Sequence, residues 1–335
     1  FFEIKEAKIR GEQSQGMICS EDELGLSDHA DGIMVLEESI FTVGTPLLDY
    51  FEIVQDDVFE IGLTPNRTDA MSHYGVARDL NAFMSTHGIS CYFEKIEAKD
   101  LSFDGKSDFS IEVEDSGLCP RYVGAVIQDV QIKESPAWLQ NRLKAIGLAP
   151  VNNVVDITNF ILHGLGQPLH AFDADKISGN KVKIGLSKAG EKFKTLDGTE
   201  RTLNGSELMI KDGDNSPLCI AGVFGGAHSG VSETTKNIFL ESAYFNPVSV
   251  RKTAKLHGLS TDASFRFERG VDPNITKTAI THAIELITKI TGGKLAEPLL
   301  EHYPNKIEDH YIILRFSKIE QILGTKIHIE TVKSI

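Results

Sequence analysis

The sequence predicts a multidomain protein of the α+β or mixed α/β class, in which mixed β-sheets and packed helices form a central domain that partial domains flank. With 335 residues, the chain is long enough for two or three domains. Several segments alternate apolar and polar residues between turn signals, which is typical of strands. Other segments repeat apolar residues three and four positions apart, which indicates amphipathic helices.

The composition limits the classes of function. Hydrophobic residues make up 41% and charged residues 24%, as in ordinary soluble proteins, and no apolar run approaches the ~18 residues of a membrane helix. The four cysteines stand far apart without a CxxC pattern, which argues against a zinc site or a disulfide framework and favours a reducing cytoplasm. The net charge of −14 argues against a general nucleic-acid binder, because phosphates are neutralised by Lys and Arg. Any RNA contact must therefore be local, or shared with parts of a longer polypeptide.

The first 95 residues predict small elements of both kinds. Residues 1–22 alternate as strands with Gly11 and Gly16 as punctuation, EDELGLSD is a loop, and the mixed region 32–62 ends in the strand VFEIGL. A helix follows in TPNRTDAMSHYGVARDLNAFMSTHG, where apolar residues from Met71 to Met84 have helical spacing and Gly88 is a C′ residue. The start in a strand without an initiator Met, and the stop in the helix-like HIETVKSI, indicate a piece of a longer polypeptide.

A polar linker at 95–107 precedes the main domain. There FSIEVED and RYVGAVIQDVQI alternate as strands, and SPAWLQNRLKAIGL predicts a helix with Ser135 as N-cap, Pro136 at the first position and Gly147 at the end. Asp-Gly signals in LDGT and KDGDN predict hairpin turns.

The rest of the main domain predicts one more strand and two helices. The strand NIFLESAYF precedes a short helix capped by Asn246, and VDPNITKTAITHAIELITKITGG predicts an amphipathic helix that Asp272 caps. Its apolar face is predicted to carry Ile280, Ile284 and Ile287. Beyond residue 304, the strand YIILRF and the helix SKIEQILG begin a further unit.

The stretch from Asn153 to Asp173 holds many hydrogen-bonding side chains among apolar ones. Polar groups brought into a core cost free energy unless they are paired. The stretch therefore either braces the backbone, with helix caps and a satisfied core histidine, or builds a pocket. On the second interpretation Thr158, Asn159 and His170 line a site, and His170 orients a water or a carbonyl.

Two further segments allow a structural and a functional interpretation. The glycine-rich AGVFGGAHSG, residues 221–230, fits neither the dinucleotide pattern GxGxxG nor a phosphate loop. It is a tight turn after a strand, or a pocket wall kept bare for a flat ligand. Glu241 in NIFLESAYF shares a face with Phe239 and Ala243, so it needs a partner, which is an Arg of the protein or a hydroxyl of a ligand.

The segment VRKTAKLHGLSTDASFRFERG is basic in an acidic chain. It sets five Lys or Arg residues against Asp262 and Glu268, a local charge of +3. It is a solvated loop with structural ion pairs, or a place where a phosphate backbone is held.

The chain has no GxSxG, no HExxH and no Cys near a suitable His, so no activated nucleophile is predicted. A hydrolase built on this sequence would use water, with positioning as its main device.

Together these motifs resemble the beta subunit of bacterial phenylalanyl-tRNA synthetase over the whole chain. FEIKEAKIRGEQSQGMICSEDELGL is similar to the end of its OB-like tRNA-binding insertion, and EIGLTPNRTDAMSHYGVARDL to the domain that carries the insertion. The chain from CPRYVGAVI to RFERGVDP is similar to its editing domain, and LRFSKIEQILGTKI to the start of the next helical domain. The resemblance implies domains at 1–22, 23–95, 96–303 and 304–335.

The editing domain of this family hydrolyses tyrosine wrongly attached to phenylalanine tRNA, and the resemblance implies which residues form its site here. It gives catalytic roles to Thr158 and Asn159 in VDITNF and to His170 in QPLHAFD. It gives substrate-binding roles to Gly225 in VFGG, Glu241 in FLESAYF, and Thr261 and Ala263 in STDAS. Glu241 would read the tyrosine hydroxyl.

The resemblance also implies partners. These are the 3′ end of tRNA(Phe), tyrosine as editing ligand, and the synthetase alpha subunit in a cytoplasmic heterotetramer of two alpha and two beta subunits, without a membrane. ATP and Mg²⁺ are implied for the whole synthetase, whereas no cofactor and no metal ligand is expected in this chain. Two alternatives are an inactive scaffold that docks tRNA and an amino-acid-binding module that acts without RNA.

Overall fold

The computed structural model describes residues 4–26, 32–36, 42–50 and 57–335, in a chain that divides into two compact units, Phe1–Asp57 and Val58–Ile335. Predictions about residues 1–3, 27–31, 37–41 and 51–56, which are parts of the first strand, the loop and the mixed region, lie outside the described residues. The finer division into four domains stays a prediction.

Helices and strands are mixed along the chain. The described helices are α1 (Leu47–Tyr50), α2 (His73–Thr86), α3 (Ala137–Ala145), α4 (Asn153–Leu165), α5 (Pro247–His257), α6 (Asp262–Phe267), α7 (Ile275–Thr291), α8 (Phe316–Leu323) and α9 (Ile329–Ser334). The described strands are β1 (Ala7–Ile9), β2 (Glu12–Ser14), β3 (Ser110–Val113), β4 (Arg121–Gln128), β5 (Leu169–Asp173), β6 (Lys181–Leu186), β7 (Lys192–Lys194), β8 (Glu200–Thr202), β9 (Leu208–Lys211), β10 (Pro217–Ile220), β11 (Phe224–Gly225), β12 (Ile238–Tyr244), β13 (Lys294–Leu295) and β14 (Leu300–His302).

The first unit contains the antiparallel hairpin β1–β2. Its turn residues Arg10 and Gly11 both have positive φ, 53° and 93°, as a two-residue turn that matches strand twist requires. The strands predicted within residues 1–22 are thereby confirmed at 7–9 and 12–14, whereas residues 15–22 form no strand.

Two sheets form the body of the second unit. In the central sheet, the order is β13-β4-β12-β5, β14 also pairs with β4, and every pair is antiparallel. In the front sheet, the order is β11-β10-β9-β6-β3, and only β3 and β6 are parallel. Turns at LDGT and KDGDN join β7 to β8 and β9 to β10, as predicted. These mixed sheets with packed helices confirm the predicted α+β class.

Two hydrophobic cores lie on opposite faces of the central sheet. On one face, alternate side chains of its strands, among them Tyr122, Phe172 and Phe239, pack against front-sheet residues such as Ile184. On the other face, the intervening side chains, such as Leu240, pack against α3, α4 and α7. The layers are therefore front sheet, central sheet and helices. The middle strands are mostly apolar because both of their faces are buried, and Glu241 and Ser242 are buried polar exceptions in β12.

Most helix ends follow the local signals in the sequence. Helix α2 is followed by Gly88 at φ +68°, and Asn246 accepts hydrogen bonds from the first backbone N–H groups of α5, as predicted. The predicted face of α7 is buried and carries Ile280, Ile284 and Ile287.

Two predicted caps are wrong. Ser135 does not cap α3: its Oγ donates to Asp156 Oδ2 at 2.5 Å, and α3 begins after Pro136. Asp272 does not cap α7 either, because its Oδ1 accepts from Asn274 N in the preceding turn. In both cases another nearby donor or acceptor competes for the same side chain.

Two predicted strands are also wrong. The segments VFEIGL at 58–63 and YIILR at 311–315 have no regular structure, and Tyr311 is 93% exposed. A strand is held by the hydrogen-bond ladder to a neighbour, and no strand in the described part of the chain pairs with either segment. The helix predicted next, α8, is confirmed and ends at Gly324 with φ +68°.

We expect Asp156→Ala to lower the free energy of unfolding by about 2–3 kcal/mol, because it leaves the buried hydroxyl of Ser135 and the partly buried backbone N–H of Val151 unpaired. Asp156 is fully buried and accepts hydrogen bonds from Ser135 Oγ and, at 2.8 Å, from Val151 N. Urea unfolding measures the change. Glu233→Ala, which removes an exposed carboxylate, should stay within about 0.5 kcal/mol of the parent chain. Equal effects of the two substitutions would contradict this role of Asp156.

Candidate functional site

A cavity of about 80 Å³ lies between the central and front sheets, next to α6. A single buried water needs roughly 10–15 Å³, so this space admits something larger than one water. The lining residues come from β5, β10, β11, β12, α6 and the chain close to them: Pro168, Leu169, His170, Cys219, Gly222, Val223, Phe224, Gly225, Glu241, Ala243, Phe245, Ala263 and Phe267.

Strand pairing brings Glu241 and His170 together. In the register of β12 with β5, Glu241 lies directly opposite His170, so their side chains share one face and start about 5 Å apart. On its other side, Glu241 lies opposite Gly124 of β4, which has no side chain. A Cβ at Gly124 would come within 2.4 Å of Phe239 Cζ, so the Phe239 ring needs that space.

Glu241 is a buried acid without a cation. Its side chain is 5% exposed, and the hydroxyl of Tyr122 donates to Glu241 Oε2 at 2.5 Å. Burial raises the pKa of Glu241 to about 8, although the hydrogen bond from Tyr122 opposes the rise. Within the described residues no Lys or Arg pairs with it, so the predicted Arg partner is wrong, and the carboxyl is mostly protonated at neutral pH.

His170 has an unused ring nitrogen. Its Nε2 is buried and has no hydrogen-bond partner in the part of the chain that the structure describes. Burial lowers the pKa of His170 to about 4, so the ring is neutral at pH 7, and its edge packs against Phe172 with ring centroids 4.5 Å apart. A buried polar atom without a partner indicates a place for a water or a ligand atom.

The glycine-rich segment is both a turn and a wall. Gly222 has φ +68° in the turn between β10 and β11, a conformation that favours glycine. A Cβ at Gly225 would lie 2.8 Å from Leu196 Cδ1 and 3.1 Å from His170 Cε1. Any side chain at position 225 would therefore crowd His170 and reduce the cavity.

Thr261 holds α6 against the cavity. Its Oγ1 accepts from Ser264 N at 3.0 Å in a capping box and lies 3.1 Å from the carbonyl oxygen of Val223, to which it donates. These bonds link α6 to the turn before β11, and they place Ala263 in the cavity lining. Thr261 itself is not a lining residue, and its substrate-binding role stays a prediction.

Thr158 and Asn159 are not among the residues that line the cavity. Both lie on α4, whose apolar side packs on the opposite face of the central sheet from Glu241. Thr158 is buried and donates to the carbonyl oxygen of Val155 at 2.7 Å, and Asn159 is half-buried. Their catalytic roles stay a prediction.

The other polar residues of the stretch 153–173 mainly brace the backbone. Asn152, just before the stretch, caps α4, and Asp156 accepts two hydrogen bonds near its first turn. Asp173 Oδ2 accepts from Thr235 Oγ1 at 2.7 Å. Within this stretch, the cavity is lined by Pro168, Leu169 and His170.

The basic segment is partly neutralised by its own structure. Arg266 pairs with Asp262, and Arg269 pairs with Glu268 at 2.5 Å while it covers the Phe265 ring at 3.6 Å. The predicted ion pairs therefore form, although the segment is helical rather than a loop. The remaining cations lie exposed on α5: Arg251, Lys252 and Lys255.

Sequence reasoning missed Tyr122. No local pattern identifies it, because it lies 119 positions before Glu241 and its neighbours are ordinary strand residues.

In the described part of the chain, no helix has the length and apolarity that a membrane crossing requires. No group of three or more His, Cys, Asp or Glu among the described residues is arranged to hold a metal ion.

The structure is an α+β domain with a cavity whose lining side chains are largely uncharged. The family model of the B3/4 domain matches residues 118–292, and the chain belongs to this B3/4 domain family. All of the chain aligns with phenylalanine–tRNA ligase beta subunits, at 48% identity over 335 residues in Bacteroides fragilis and 49% over 334 residues in Porphyromonas gingivalis. The resemblance predicted from the motifs is thereby confirmed.

The chain spans only 41% and 40% of the length of these two relatives. An N-terminal fragment of the phenylalanyl-tRNA synthetase beta-subunit from Pyrococcus horikoshii, solved by crystallography, is 17% identical and covers 86% of this chain and 80% of its own. Its TM-score of 0.37 is too low to support an inference.

We expect the stabilising contribution of Glu241 to fall as the pH rises from about 4.5 to about 8. An unfolded glutamate ionises near pH 4.5, whereas Glu241 has a pKa of about 8 in the folded protein. Its stabilising contribution is therefore fully present below pH 4.5 and is lost progressively as the pH rises to about 8. Between pH 6.5 and 8, the free energy of unfolding should fall by roughly 1–2 kcal/mol through this group.

Urea unfolding of the parent chain and of Glu241→Gln at both pH values measures this loss. His170, with an unfolded pKa of 6.5 and a folded pKa of about 4, adds a small effect of opposite sign near pH 6.5. This effect is present in both proteins, so the difference between them isolates Glu241. The Gln variant cannot ionise and should lose less stability. The same pH dependence in both proteins would contradict the assignment.

Proposed function

We propose that this chain is the editing part of a phenylalanine–tRNA ligase beta subunit, and that it hydrolyses tyrosine from mischarged Tyr-tRNA(Phe). The observation that carries the proposal is the cavity, in which Glu241 lies opposite His170 and the facing wall is the glycine backbone at 225. The similarity of the whole chain to beta subunits of this ligase supports the same conclusion.

Glu241 gives a physical basis for choosing tyrosine over phenylalanine. Its Oε2 is engaged by Tyr122, and in the described part of the chain Oε1 has no hydrogen-bond partner. The phenol hydroxyl of tyrosine supplies that partner, whereas phenylalanine would leave a buried polar oxygen unpaired. Sites that bind a substrate hydroxyl in this way reject the analogue without it by about 10⁴-fold or more. Gly225 and Ala263 leave room for the aromatic ring.

Hydrolysis needs a positioned water rather than a protein nucleophile. The water oxygen attacks the carbonyl carbon of the aminoacyl ester, the bond to the ribose oxygen breaks, and tyrosine and tRNA are released. His170 suits the positioning of this water or of the carbonyl, because its Nε2 is free of protein partners. Its pKa of about 4 makes it a weak general base at pH 7. Thr158 and Asn159 retain the catalytic roles proposed from the resemblance.

The net charge of −14 is compatible with a tRNA substrate if only the 3′ end of tRNA(Phe) enters this domain. The exposed cations on α5 precede α6, which contributes Ala263 to the lining, and they are candidates for contacts to that end. The alpha subunit, in a cytoplasmic heterotetramer of two alpha and two beta subunits, would carry the aminoacylation site. ATP and Mg²⁺ belong to that whole synthetase, and no step of the proposed hydrolysis is assigned to them.

A second candidate is an inactive module that docks tRNA. The position of Thr158 and Asn159 outside the cavity lining favours it, because two predicted catalytic side chains then do not meet the ligand. Incubation of the chain with Tyr-tRNA(Phe) and Phe-tRNA(Phe) separates the two functions. Selective release of tyrosine supports editing, whereas binding of both tRNAs without release supports docking.

We expect Glu241→Ala to reduce the preference for Tyr-tRNA(Phe) over Phe-tRNA(Phe) by at least 10-fold, because the hydroxyl loses its buried partner. The ratio of the kcat/KM values for deacylation of the two substrates measures this. Glu233→Ala is the control, since it removes an exposed carboxylate away from the lining residues. Unchanged selectivity in the Glu241 variant would refute the role of Glu241.

We expect Gly225→Trp to abolish deacylation, because the indole would fill the space beside His170. Gly225→Ala should give a smaller loss, since its Cβ meets only the end of the Leu196 side chain and the His170 ring edge. Gly164→Trp is the matched control, because no neighbouring atom lies within 4 Å of the added Cβ. Full activity of a folded Gly225→Trp variant, with folding checked by circular dichroism, would remove position 225 from the site.

A further inference from the structure

We propose that Tyr122 is the positioning residue for hydroxyl selectivity: it holds the Glu241 carboxyl by Oε2 and so presents Oε1 to the ligand. The identity of the ligand as an aminoacyl ester rests on the proposed function, whereas recognition of a phenol hydroxyl does not.

The two strands place Tyr122 at the correct distance from Glu241. In the register of β4 with β12, Tyr122 lies opposite Ala243 and Glu241 lies opposite Gly124, so the two side chains are diagonal neighbours on one face. Diagonal pairs are about 7–8 Å apart, which a tyrosine side chain spans. Its hydroxyl reaches Glu241 Oε2 at 2.5 Å.

Tyr122 acts on Glu241 rather than on the ligand. Its side chain is fully buried in the core between the two sheets, and it is not among the residues that line the cavity. Its hydroxyl has Glu241 as hydrogen-bond partner. A residue in this position can influence the ligand only through the carboxyl that it holds.

No charge competes with Tyr122 for the orientation of the carboxyl. The titratable groups that face Glu241 from the surrounding elements are Tyr122 on β4, His170 on β5, Cys119 just before β4, and Cys219 on β10. Burial raises the pKa of both thiols and of the phenol and lowers the pKa of His170, so all four are uncharged at neutral pH. Among the described residues, the hydrogen bond from Tyr122 is therefore the interaction that fixes this carboxyl.

Fixing one oxygen sharpens the choice between two ligands. Because Oε2 is bound to the Tyr122 hydroxyl, the Glu241 carboxyl cannot rotate to bring Oε1 to another hydrogen-bond partner. A ligand without a hydroxyl therefore leaves Oε1 unpaired. Without the Tyr122 hydroxyl, the carboxyl is free to turn and to bind water in the vacated space, and the penalty against the apolar ligand falls.

The test is Tyr122→Phe, which removes one buried oxygen and keeps the ring. We expect the ratio of kcat/KM values for Tyr-tRNA(Phe) and Phe-tRNA(Phe) to fall about 10- to 100-fold, the range expected for one buried hydrogen bond to an acidic group. Tyr244→Phe is the matched control on β12, since Tyr244 points to the other face of the strand and does not line the cavity. A ratio within about twofold of the parent value in a folded Tyr122→Phe variant would overturn the proposal.

Binding of p-cresol and toluene, the side-chain analogues of tyrosine and phenylalanine, separates this proposal from the proposed function. By calorimetry on the ligand-free chain, we expect the parent to prefer p-cresol, and Tyr122→Phe to lose most of that preference. In Glu241→Ala, which removes the carboxyl, the further change Tyr122→Phe should have little effect, as a double-mutant cycle requires if Tyr122 acts through Glu241. An undiminished preference in Tyr122→Phe, or an equal loss in the Ala background, would refute it.

A titration by nuclear magnetic resonance adds a readout that a merely structural role would not move. The hydrogen bond from Tyr122 lowers the pKa of Glu241, so removal of the hydroxyl should raise that pKa further.

If p-cresol selectivity depends on Tyr122 but the chain releases no tyrosine, the proposed function fails and this inference stands. If selective hydrolysis proceeds unchanged in Tyr122→Phe, this inference fails and the proposed function stands.

Discussion

Strand β12 is hydrogen-bonded on both sides, to β4 and to β5, and its register fixes what each side chain meets. Because side chains alternate with a period of two, a shift by one residue would turn Glu241 toward the helices and Leu240 into the cavity. Phe239 and Leu240 oppose such a shift, since each is fully buried in a different core. The cavity exists because this register brings Glu241 beside His170 and near β11, which carries Gly225.

The cavity holds ionisable side chains in their uncharged forms. Burial raises the pKa of Glu241 to about 8 and lowers that of His170 to about 4, and neither group has an ion-pair partner among the described residues. In a chain of net charge −14, this is a locally neutral space. Such a space suits an aromatic side chain with one hydroxyl, which agrees with the proposed editing of tyrosine, and it leaves the charged parts of a tRNA outside the two sheets.

Several segments allowed both a structural and a functional interpretation, and the structure divides them residue by residue. The stretch 153–173 mainly braces α4 and β5, yet His170 turns into the cavity. Gly222 adopts the positive φ of a turn, and Gly225 lines the cavity without a side chain. Glu241 has no Arg partner among the described residues; a tyrosine hydroxyl from the next strand binds one of its oxygens and leaves the other for the proposed ligand.

The sequence by itself determined the α+β class, the helices with local caps and apolar faces, and the hairpins with Asp-Gly turns, because those signals act over a few residues. Through its motifs it also pointed to His170, Gly225, Glu241 and Ala263, which the structure brings together. Only the tertiary structure decided that Ser135 binds Asp156 instead of capping α3, that Thr158 and Asn159 lie away from the cavity lining, and that Tyr122 holds Glu241. A buried polar group takes the partner that folding places beside it, and here that partner comes from 21 to 119 positions away, beyond the reach of any local pattern.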